Sequence, residues 1–378
     1  KDVLEKQNSF EWIQAFFSKQ SHTVNNLALV DENVLKEKLA SLQHLQTATQ
    51  IPPEDAKIEY VDNKFVIKNE VMGSTIDLEK ASQAIILAFS EGSKVLDLDK
   101  SNCYVEPNVK ASDELIQQQC QAANQYASAI ITYKTRSGDV VLDGNELITW
   151  LSIDETGKYY RDDSVFKKKA TEFVSSLAKK INSVGETRTF VGANNRTITV
   201  SGGNYGVRLQ NSKEVTGLLK DIYANKVGVR TPITVGKESS IDNGGLGNTF
   251  VEIDLKGQHM WYHKDGQIIL ESDIVSGTYN DPDRRTPAGT YYLYNKERNR
   301  VLRGTKLPDG TWPYETPVSY WMPFNKGIGL HDSSSWRSKW GGTIYMNSGS
   351  HGCINLPTNI AAQLYNNIEI NCPVVCYY

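Results

Sequence analysis

Residues 349–357 read GSHGCINLP, and they bring a histidine, a cysteine and two glycines together at one place in the chain. After Pro357 the apolar residues Ile360 and Leu364 recur at helical spacing, so a helix is predicted to begin soon after the cysteine. A cysteine is nucleophilic as the thiolate, which the dipole of a helix N-terminus stabilises. The segment therefore predicts a reactive Cys353 at a turn before a helix.

Two histidines are candidate bases for Cys353. His351 lies two positions earlier and would point to the opposite side of an extended segment. His331 follows an apolar, strand-like run and is the better candidate, with Asp332 or a backbone carbonyl orienting its ring. Gly352 leaves room beside the sulfur and frees the backbone N–H groups of Gly352 and Cys353 to bind an oxyanion.

The composition is that of a folded globular protein. Of 378 residues, 39% are hydrophobic and 22% are charged, which suits two or three domains. The formal net charge is −3 and no block of lysines and arginines occurs, which argues against nucleic acid as a partner. Five cysteines are an odd number and too few for a disulfide scaffold in a chain of this length.

The N-terminal part alternates between helical and strand spacing. Residues 1–48 predict helices, and Asp31 is the expected cap of one of them. Residues 57–67 follow with the alternation of a hairpin that turns at Asp62-Asn63. Asp77 then opens another helical run, so the segment predicts an α+β module.

A similar succession returns further along the chain. Helices are predicted near 113–128 and 164–182, and a hairpin turning at 193–195 leads to a helix that begins near Asn211. The likeness indicates two related modules, with a chance likeness between two ordinary hairpin–helix units as the alternative.

The segment 233–248 is rich in glycine, serine and asparagine and is predicted to be a linker. The residues after it are strand-like, with a hairpin turn at 264–266. The predicted division is therefore a first module over 1–112, a second module over 113–232, the linker, and a mainly β domain over 249–378.

The mainly β domain resembles the catalytic domain of the YkuD-type L,D-transpeptidases, in which a distant histidine serves a cysteine in an SHGC motif. The residues that carry the likeness are His331-Asp332 and Ser350-His351-Gly352-Cys353-Ile354-Asn355. Other segments similar to the family's recurrent ones follow in the expected order, at 274–277, 285–291 and 327–331. One position departs from many members, which have arginine where this chain has Asn355. The upstream modules are similar to the peptidoglycan-binding domain found ahead of this catalytic domain in Gram-positive enzymes.

The resemblance implies a fold of α+β N-terminal modules followed by a mainly β, β-sandwich-like catalytic domain around a cleft. It implies that Cys353 attacks the third residue of a peptidoglycan tetrapeptide stem, releases D-alanine and holds the stem as a thioester. An amine of another stem then completes a 3→3 cross-link, with His331 moving protons and Asp332 or a carbonyl fixing its tautomer. Ser350 and His351 are expected to shape the wall of the site.

Further expectations follow from the resemblance. The candidate contacts to the stem peptide are Asn355, Tyr345, Trp336 and Arg285. Thioester chemistry requires no metal or organic cofactor, and carbapenems are expected to acylate Cys353. A monomer is expected, outside the cell membrane and held there by an N-terminal membrane segment that this sequence lacks.

Three other functions remain open at this stage. An L,D-carboxypeptidase shares the acylation step and uses water as acceptor. A non-catalytic cell-wall-binding protein would suit the upstream modules, although Cys353 and His331 stand at the spacing that catalysis needs. A zinc hydrolase could use His259 and His263, but the pair lies in a strand pattern, with Met260 where the metalloprotease motif has glutamate.

Overall fold

The computed structural model describes residues 30–42, 50–239 and 242–378, together with Ile13, Phe16 and Phe17. The elements up to residue 160 are, in chain order, α1 (Glu32–Ser41), β1 (Lys57–Val61), β2 (Lys64–Lys68), α2 (Leu78–Ser90), α3 (Glu114–Tyr126), β3 (Ile130–Thr135), β4 (Gly138–Leu142), α4 (Gly144–Leu147), β5 (Ser152–Ile153) and β6 (Tyr159–Tyr160).

A second group of elements leads to the strand-rich C-terminal part. It comprises α5 (Asp163–Ile181), β7 (Arg188–Val191), β8 (Thr197–Val200), β9 (Gly206–Leu209), α6 (Asn211–Tyr223), β10 (Val227–Val229) and β11 (Thr234–Lys237). The C-terminal part comprises β12 (Phe250–Asp254), β13 (His259–Lys264), β14 (Gln267–Asp273), β15 (Gly289–Tyr292), β16 (Glu297–Arg303), β17 (Glu315–Asn325), β18 (Ile328–Asp332), α7 (Ile344–Ser348), β19 (Ile354–Leu356), α8 (Thr358–Asn367) and β20 (Pro373–Tyr377).

The chain forms two compact units. The N-terminal unit extends to Ala129 and includes Asp143–Asp162, and the C-terminal unit comprises Ile130–Leu142 and Asp163–Tyr378. Among the described residues, no helix combines the length and the apolar character needed to cross a bilayer.

Local signals of the sequence account for the N-terminal unit. The Asp31 carboxylate accepts hydrogen bonds from two N–H groups in the first turn of α1, and Asp77 does the same for α2. Strands β1 and β2 pair as an antiparallel hairpin, and Asp62 and Asn63 form its turn with positive φ. These three predictions are confirmed, whereas the helix predicted earlier in residues 1–48 falls outside the described residues.

Helix α3 packs on the first hairpin. The Asn124 side chain exchanges hydrogen bonds with the backbone of Phe65, at 3.0 Å to the N–H and 2.8 Å to the carbonyl. Because of this contact, residues 113–129 belong to the N-terminal unit, although the sequence assigned them to the second module. The predicted four-part division and the relation between the two modules stay predictions.

Part of the predicted linker is regular structure. Strand β11 pairs antiparallel with β9, so that Thr234 lies opposite Leu209 and Lys237 opposite Gly206. Residues 234–237 of the predicted linker are therefore a strand, whose backbone polar groups are satisfied by pairing with β9. The linker over 233–248 as a division between domains stays a prediction.

Two sheets build the strand-rich part of the C-terminal unit. One has the order β14-β13-β12-β20-β15 and the other has the order β16-β17-β18-β19. Both contribute to one apolar core, in which β12 and β20 supply Val251, Ile253 and Val374 and the second sheet supplies Leu330 and Ile354. The mainly β fold predicted for this part is confirmed.

The central strand β12 is buried on both faces. Val251 and Ile253 face the core between the sheets, whereas Phe250 packs in a second cluster with Phe190 of the β7–β8 hairpin. A strand covered on two sides has a nearly continuous apolar sequence, and FVEID departs from that pattern at Glu252.

Glu252 is fully buried, and its carboxylate is saturated with hydrogen bonds. Tyr377 Oη donates at 2.6 Å, the Ala193 N–H at 2.7 Å and His263 Nε2 at 2.8 Å. Burial raises the pKa of Glu252, but these hydrogen bonds outweigh it, and the pKa lies below its usual value of 4.5. The carboxylate thereby connects β12 to β13, β20 and the turn of the β7–β8 hairpin.

We expect Glu252→Gln to lower the free energy of unfolding at pH 7 by about 1–3 kcal/mol, because it removes a charge that three donors stabilise. The folded-state pKa is depressed, so this stabilisation is present above pH 4.5 and is lost as the pH falls through the folded-state value. Urea unfolding at pH 7 and pH 3.5 measures both effects. Glu271→Gln, at an exposed carboxylate on β14, is the control, and equal effects of the two substitutions would contradict the prediction.

Candidate active site

The pairing of β18 with β19 brings the predicted base next to the cysteine segment. The two strands are parallel, and His331 lies opposite Asn355 in their register. Cys353 is the residue immediately before β19, so its side chain lies at the end of the sheet. The pairing thus joins two sequence motifs that are far apart in the chain.

A second segment holds the cysteine loop from the other side. Val275 and Asn355 exchange two backbone hydrogen bonds, at 3.1 and 2.9 Å, and the Ser350 N–H donates to the Ser276 carbonyl at 2.9 Å. A Cβ on Gly277 would lie 2.8 Å from the Cα of Gly352, so the two backbones touch. The segment 274–277, one of those that carry the family resemblance, therefore supports the loop that holds Cys353.

Gly352 is required by its conformation. Its φ is +112°, a region that side chains disfavour, and a Cβ there would lie 3.1 Å from Ile328 Cδ1. Its carbonyl accepts a hydrogen bond from Thr286 Oγ1 at 2.7 Å, which ties the loop to the segment 285–291.

Ser350 closes the loop on itself. Its hydroxyl accepts the Gly352 N–H at 3.0 Å and donates to the Cys353 carbonyl at 2.6 Å. The Gly352 N–H therefore already donates to Ser350 and is not free to bind an oxyanion, contrary to the expectation from the sequence. The Cys353 N–H has no hydrogen-bond partner within the described part of the chain and remains available.

The thiol of Cys353 is partly exposed and is the protonated form at neutral pH. Burial raises its pKa to about 11, although the Gly329 N–H acts in the opposite direction. The thiol donates to the Gly327 carbonyl, with 3.7 Å between Sγ and the oxygen. The expected stabilisation by the helix N-terminus is wrong for the free enzyme, because β19 lies between Cys353 and the start of α8 at Thr358.

His331 is held as a neutral base with a defined tautomer. The residue is 3% exposed, and this burial lowers its pKa below the usual value of 6.5. Nδ1 lies 2.9 Å from the Asp332 carbonyl, which only accepts, so Nδ1 carries the proton. Nε2 lies 3.2 Å from Asn355 Nδ2, which only donates, so Nε2 is the acceptor.

The Asp332 side chain does not contact the His331 ring. Its Oδ1 accepts the backbone N–H groups of Ser319 and Tyr320, at 2.8 and 2.9 Å. Of the two possible orienting groups, the backbone carbonyl is the one in place, and the Asp332 carboxylate fixes β17 against β18. Its expected catalytic part is corrected accordingly.

The cysteine and the histidine line one cavity of about 740 Å³. Of the predicted site residues, its wall includes Cys353, His331, Ser350, His351, Asn355 and Trp336. Trp336 is half exposed, and its ring lies 6.0 Å from that of His331. The His351 ring stacks on that of Tyr314 at 4.9 Å, and His351 is an exposed wall residue.

Two predicted substrate contacts lie outside this cavity. The Arg285 guanidinium stacks on the Tyr279 ring at 4.3 Å, and its Nε donates to the Tyr279 carbonyl at 2.8 Å. Tyr345 is buried on α7, with its ring 5.9 Å from the same tyrosine. Both side chains pack around Tyr279, so the structure does not bring Arg285 and Tyr345 into this cavity. Their contact with the stem stays a prediction.

Arg337 also lines the cavity, although no motif of the sequence predicted it as a site residue. Its Nε lies 3.3 Å from Asn355 Oδ1, so it fixes the orientation of the amide that faces His331. Only the tight turn after β18 brings Arg337 to Asn355, and no local pattern marks the contact in advance. The neighbouring Trp336 was the one signal in that segment.

The histidines of the zinc alternative serve different carboxylates. His259 Nδ1 lies 2.8 Å from Asp273 Oδ1, and His263 Nε2 lies 2.8 Å from Glu252 Oε2. Within the described ranges, no three histidine, cysteine or carboxylate side chains form a group that could hold a metal ion.

Comparisons with known proteins bear on the same segments. A family model described as the L,D-transpeptidase catalytic domain (YkuD) matches residues 248–376. One described as "Putative peptidoglycan binding domain" matches residues 1–97. Among solved structures, a cysteine-to-serine mutant of an Enterococcus faecium L,D-transpeptidase is 34% identical, with 69% of this chain and 100% of that chain covered and a TM-score of 0.54.

A second solved structure, titled the Ldtfm-avibactam carbamoyl enzyme, is 35% identical. The match covers 69% of this chain and 98% of that chain, with a TM-score of 0.54. None of the curated proteins compared with the chain matches it.

We expect the alkylation of Cys353 by iodoacetamide to accelerate about tenfold per pH unit between pH 7 and pH 9, because the thiolate is the reactive form. The pKa of about 11 keeps the thiol mostly protonated over this range. Peptide mass spectrometry against time measures the rate, and Cys353→Ala identifies the modified peptide. A rate that is already constant from pH 7 upward would indicate a preformed thiolate and contradict the prediction.

Proposed function

Because the chain belongs to the YkuD-type L,D-transpeptidase family, we propose that it forms 3→3 cross-links in peptidoglycan through a thioester on Cys353. The donor is a tetrapeptide stem that loses its terminal D-alanine, and the acceptor is the third-residue side-chain amine of another stem. The observation that carries the proposal is the partly exposed Cys353 thiol in one cavity with His331, whose Nε2 is an acceptor.

Acylation starts from a neutral thiol and a neutral imidazole. As the sulfur bonds to the carbonyl carbon, the thiol proton passes to His331 Nε2, which exchanges its contact with Asn355 for one with the thiol. The imidazolium then gives this proton to the nitrogen of D-alanine as the carbon–nitrogen bond breaks. The stem remains on Cys353 as a thioester.

The second half-reaction runs through the same groups. The incoming amine loses a proton to His331 Nε2 as its nitrogen bonds to the thioester carbon, and the proton returns to sulfur when the carbon–sulfur bond breaks. Water in place of the amine would give the carboxypeptidase reaction. The Asp332 carbonyl holds the Nδ1 proton throughout, and it stabilises the imidazolium of each step.

The Cys353 N–H is the proposed oxyanion donor. Ser350 occupies the Gly352 N–H and holds the Cys353 carbonyl, which fixes the peptide plane between the two residues. A donor held in advance stabilises the charge that develops on the substrate oxygen without reorganisation during the reaction.

The peptidoglycan-binding and transpeptidase domains imply a cell-wall location outside the cytoplasm. Anchoring by an N-terminal membrane segment stays a prediction, as does the monomeric state. Stem peptides are the proposed partners of the cavity.

We expect the wild-type protein to convert disaccharide-tetrapeptide into a dimer that has lost one D-alanine. Cys353→Ala should lower the rate by at least about 10³-fold, because no other group supplies the nucleophile. Mass spectrometry of the products measures both. Tripeptide without dimer would identify a carboxypeptidase, and the absence of any reaction would favour a wall-binding protein.

We expect a carbapenem to add its full mass to the wild-type protein, because the strained lactam carbonyl is open to attack by the same thiol. Intact-protein mass spectrometry measures the adduct, and Cys353→Ala, which keeps the other four cysteines, is the matched control. An unchanged wild-type mass, or an adduct on the Cys353→Ala variant, would contradict the prediction.

A further inference from the structure

Arg337 differs from the other arginines of the cavity. Arg300 lies 2.9 Å from the Glu297 carboxylate, and Arg303 lies 2.5 Å from that of Glu315. No carboxylate of the described residues lies within ion-pair distance of Arg337. It is therefore a cavity arginine whose positive charge the described chain leaves uncompensated.

The partners of Arg337 are neutral acceptors. Its Nε donates to Asn355 Oδ1 at 3.3 Å, and its Nη2 donates to the Ser348 carbonyl at 3.2 Å. Its Nη1 has no hydrogen-bond partner in the part of the chain that the structure describes. Burial lowers the pKa of Arg337, which expresses the cost of keeping a charge partly out of water. A partly buried cation with unused donors, in a cavity that also holds the nucleophile, is a site for an anion.

We propose that Arg337 binds the terminal carboxylate of the donor stem. This inference rests on the proposed function, in which a tetrapeptide ends in a D-alanine with a free carboxylate. Arg337 would then bind the substrate without taking part in the acyl transfer itself.

The position of Arg337 beside the proton carrier supports this assignment. His331 must approach the leaving nitrogen in order to protonate it, and the carboxylate carbon of the leaving D-alanine is two bonds from that nitrogen. Asn355 contacts the His331 ring with its amide nitrogen and Arg337 with its amide oxygen. The Arg337 guanidinium is thus separated from His331 by one side chain, that of Asn355. The short distance from the leaving nitrogen to the D-alanine carboxylate is comparable, so one substrate can reach both residues.

The consequence is a preference for stems that end at the fourth residue. A stem with one more residue has an amide where the tetrapeptide has its carboxylate, and an amide leaves the Arg337 charge unpaired. Charge-assisted hydrogen bonds are stronger than neutral ones, and a preference of about 10- to 100-fold follows.

The test compares two substrates that differ only at this group. Wild-type protein is acylated with the disaccharide-tetrapeptide and with its C-terminal amide, and the rate of thioester formation is followed by intact-protein mass spectrometry. The same pair is given to Arg337→Gln, Arg337→Lys and Arg300→Gln. The quantity of interest is the carboxylate-to-amide rate ratio, in which any general effect of a substitution on His331 cancels.

We expect the wild-type ratio to be about 10 to 100, the Arg337→Gln ratio to fall near 1, and the Arg337→Lys ratio to lie between them. Arg300→Gln, whose charge is already paired with Glu297, should keep the wild-type ratio.

A wild-type ratio near 1 would overturn the inference, even if Arg337→Gln failed to fold. A wild-type ratio retained by Arg337→Gln would also overturn it, since Arg337 would then act only through Asn355. In both cases acylation of the wild-type protein would leave the proposed function standing. Failure of the wild-type protein to react with either substrate would overturn the proposed function and this inference together.

Discussion

The parallel pairing of β18 with β19 is the constraint on which the site depends. It sets His331 opposite Asn355 and leaves Cys353 at the end of the shorter strand. A shift of one residue would turn every side chain of β19 to the other face, so Ile354 would leave the core and Asn355 would enter it. The apolar core therefore fixes the register, and the register fixes the contact between base and amide. The stability of the sheet and the geometry of the site share one cause.

Reduced contact with solvent determines the chemical state of the pair. It lowers the pKa of His331 and raises that of Cys353, so both groups are neutral in the free enzyme. Charge separation is thereby deferred until substrate arrives, when the Cys353 N–H and the Asp332 carbonyl face the charges that develop. A neutral resting thiol is also less open to adventitious oxidation.

The sequence predicted what local chemistry dictates and missed what only packing creates. The caps at Asp31 and Asp77 and the hairpin turns depend on residues within a few positions of each other, and they were confirmed. The SHGC motif and the distant histidine were recognised as a pattern. The contact of Arg337 with Asn355, the use of the Asp332 carbonyl in place of its carboxylate, and the pairing of β11 with β9 arise between segments that are distant or tightly turned. The pattern of side chains carries no signal for such contacts.

A fully buried charge and a partly buried one are treated in two different ways within the C-terminal unit. Glu252 has three donors on its carboxylate, so its charge is satisfied by the protein and contributes to the stability of β12. Arg337 has only neutral acceptors at hydrogen-bond distances beyond 3.0 Å, so part of its solvation is missing. A protein can reduce such a deficit by adding a carboxylate, as it does for Arg300 with Glu297. Arg337 has no such carboxylate, and it lies in the cavity that also holds the nucleophile. An anionic group of the substrate is therefore favoured there, because its binding supplies the interaction that the folded protein lacks.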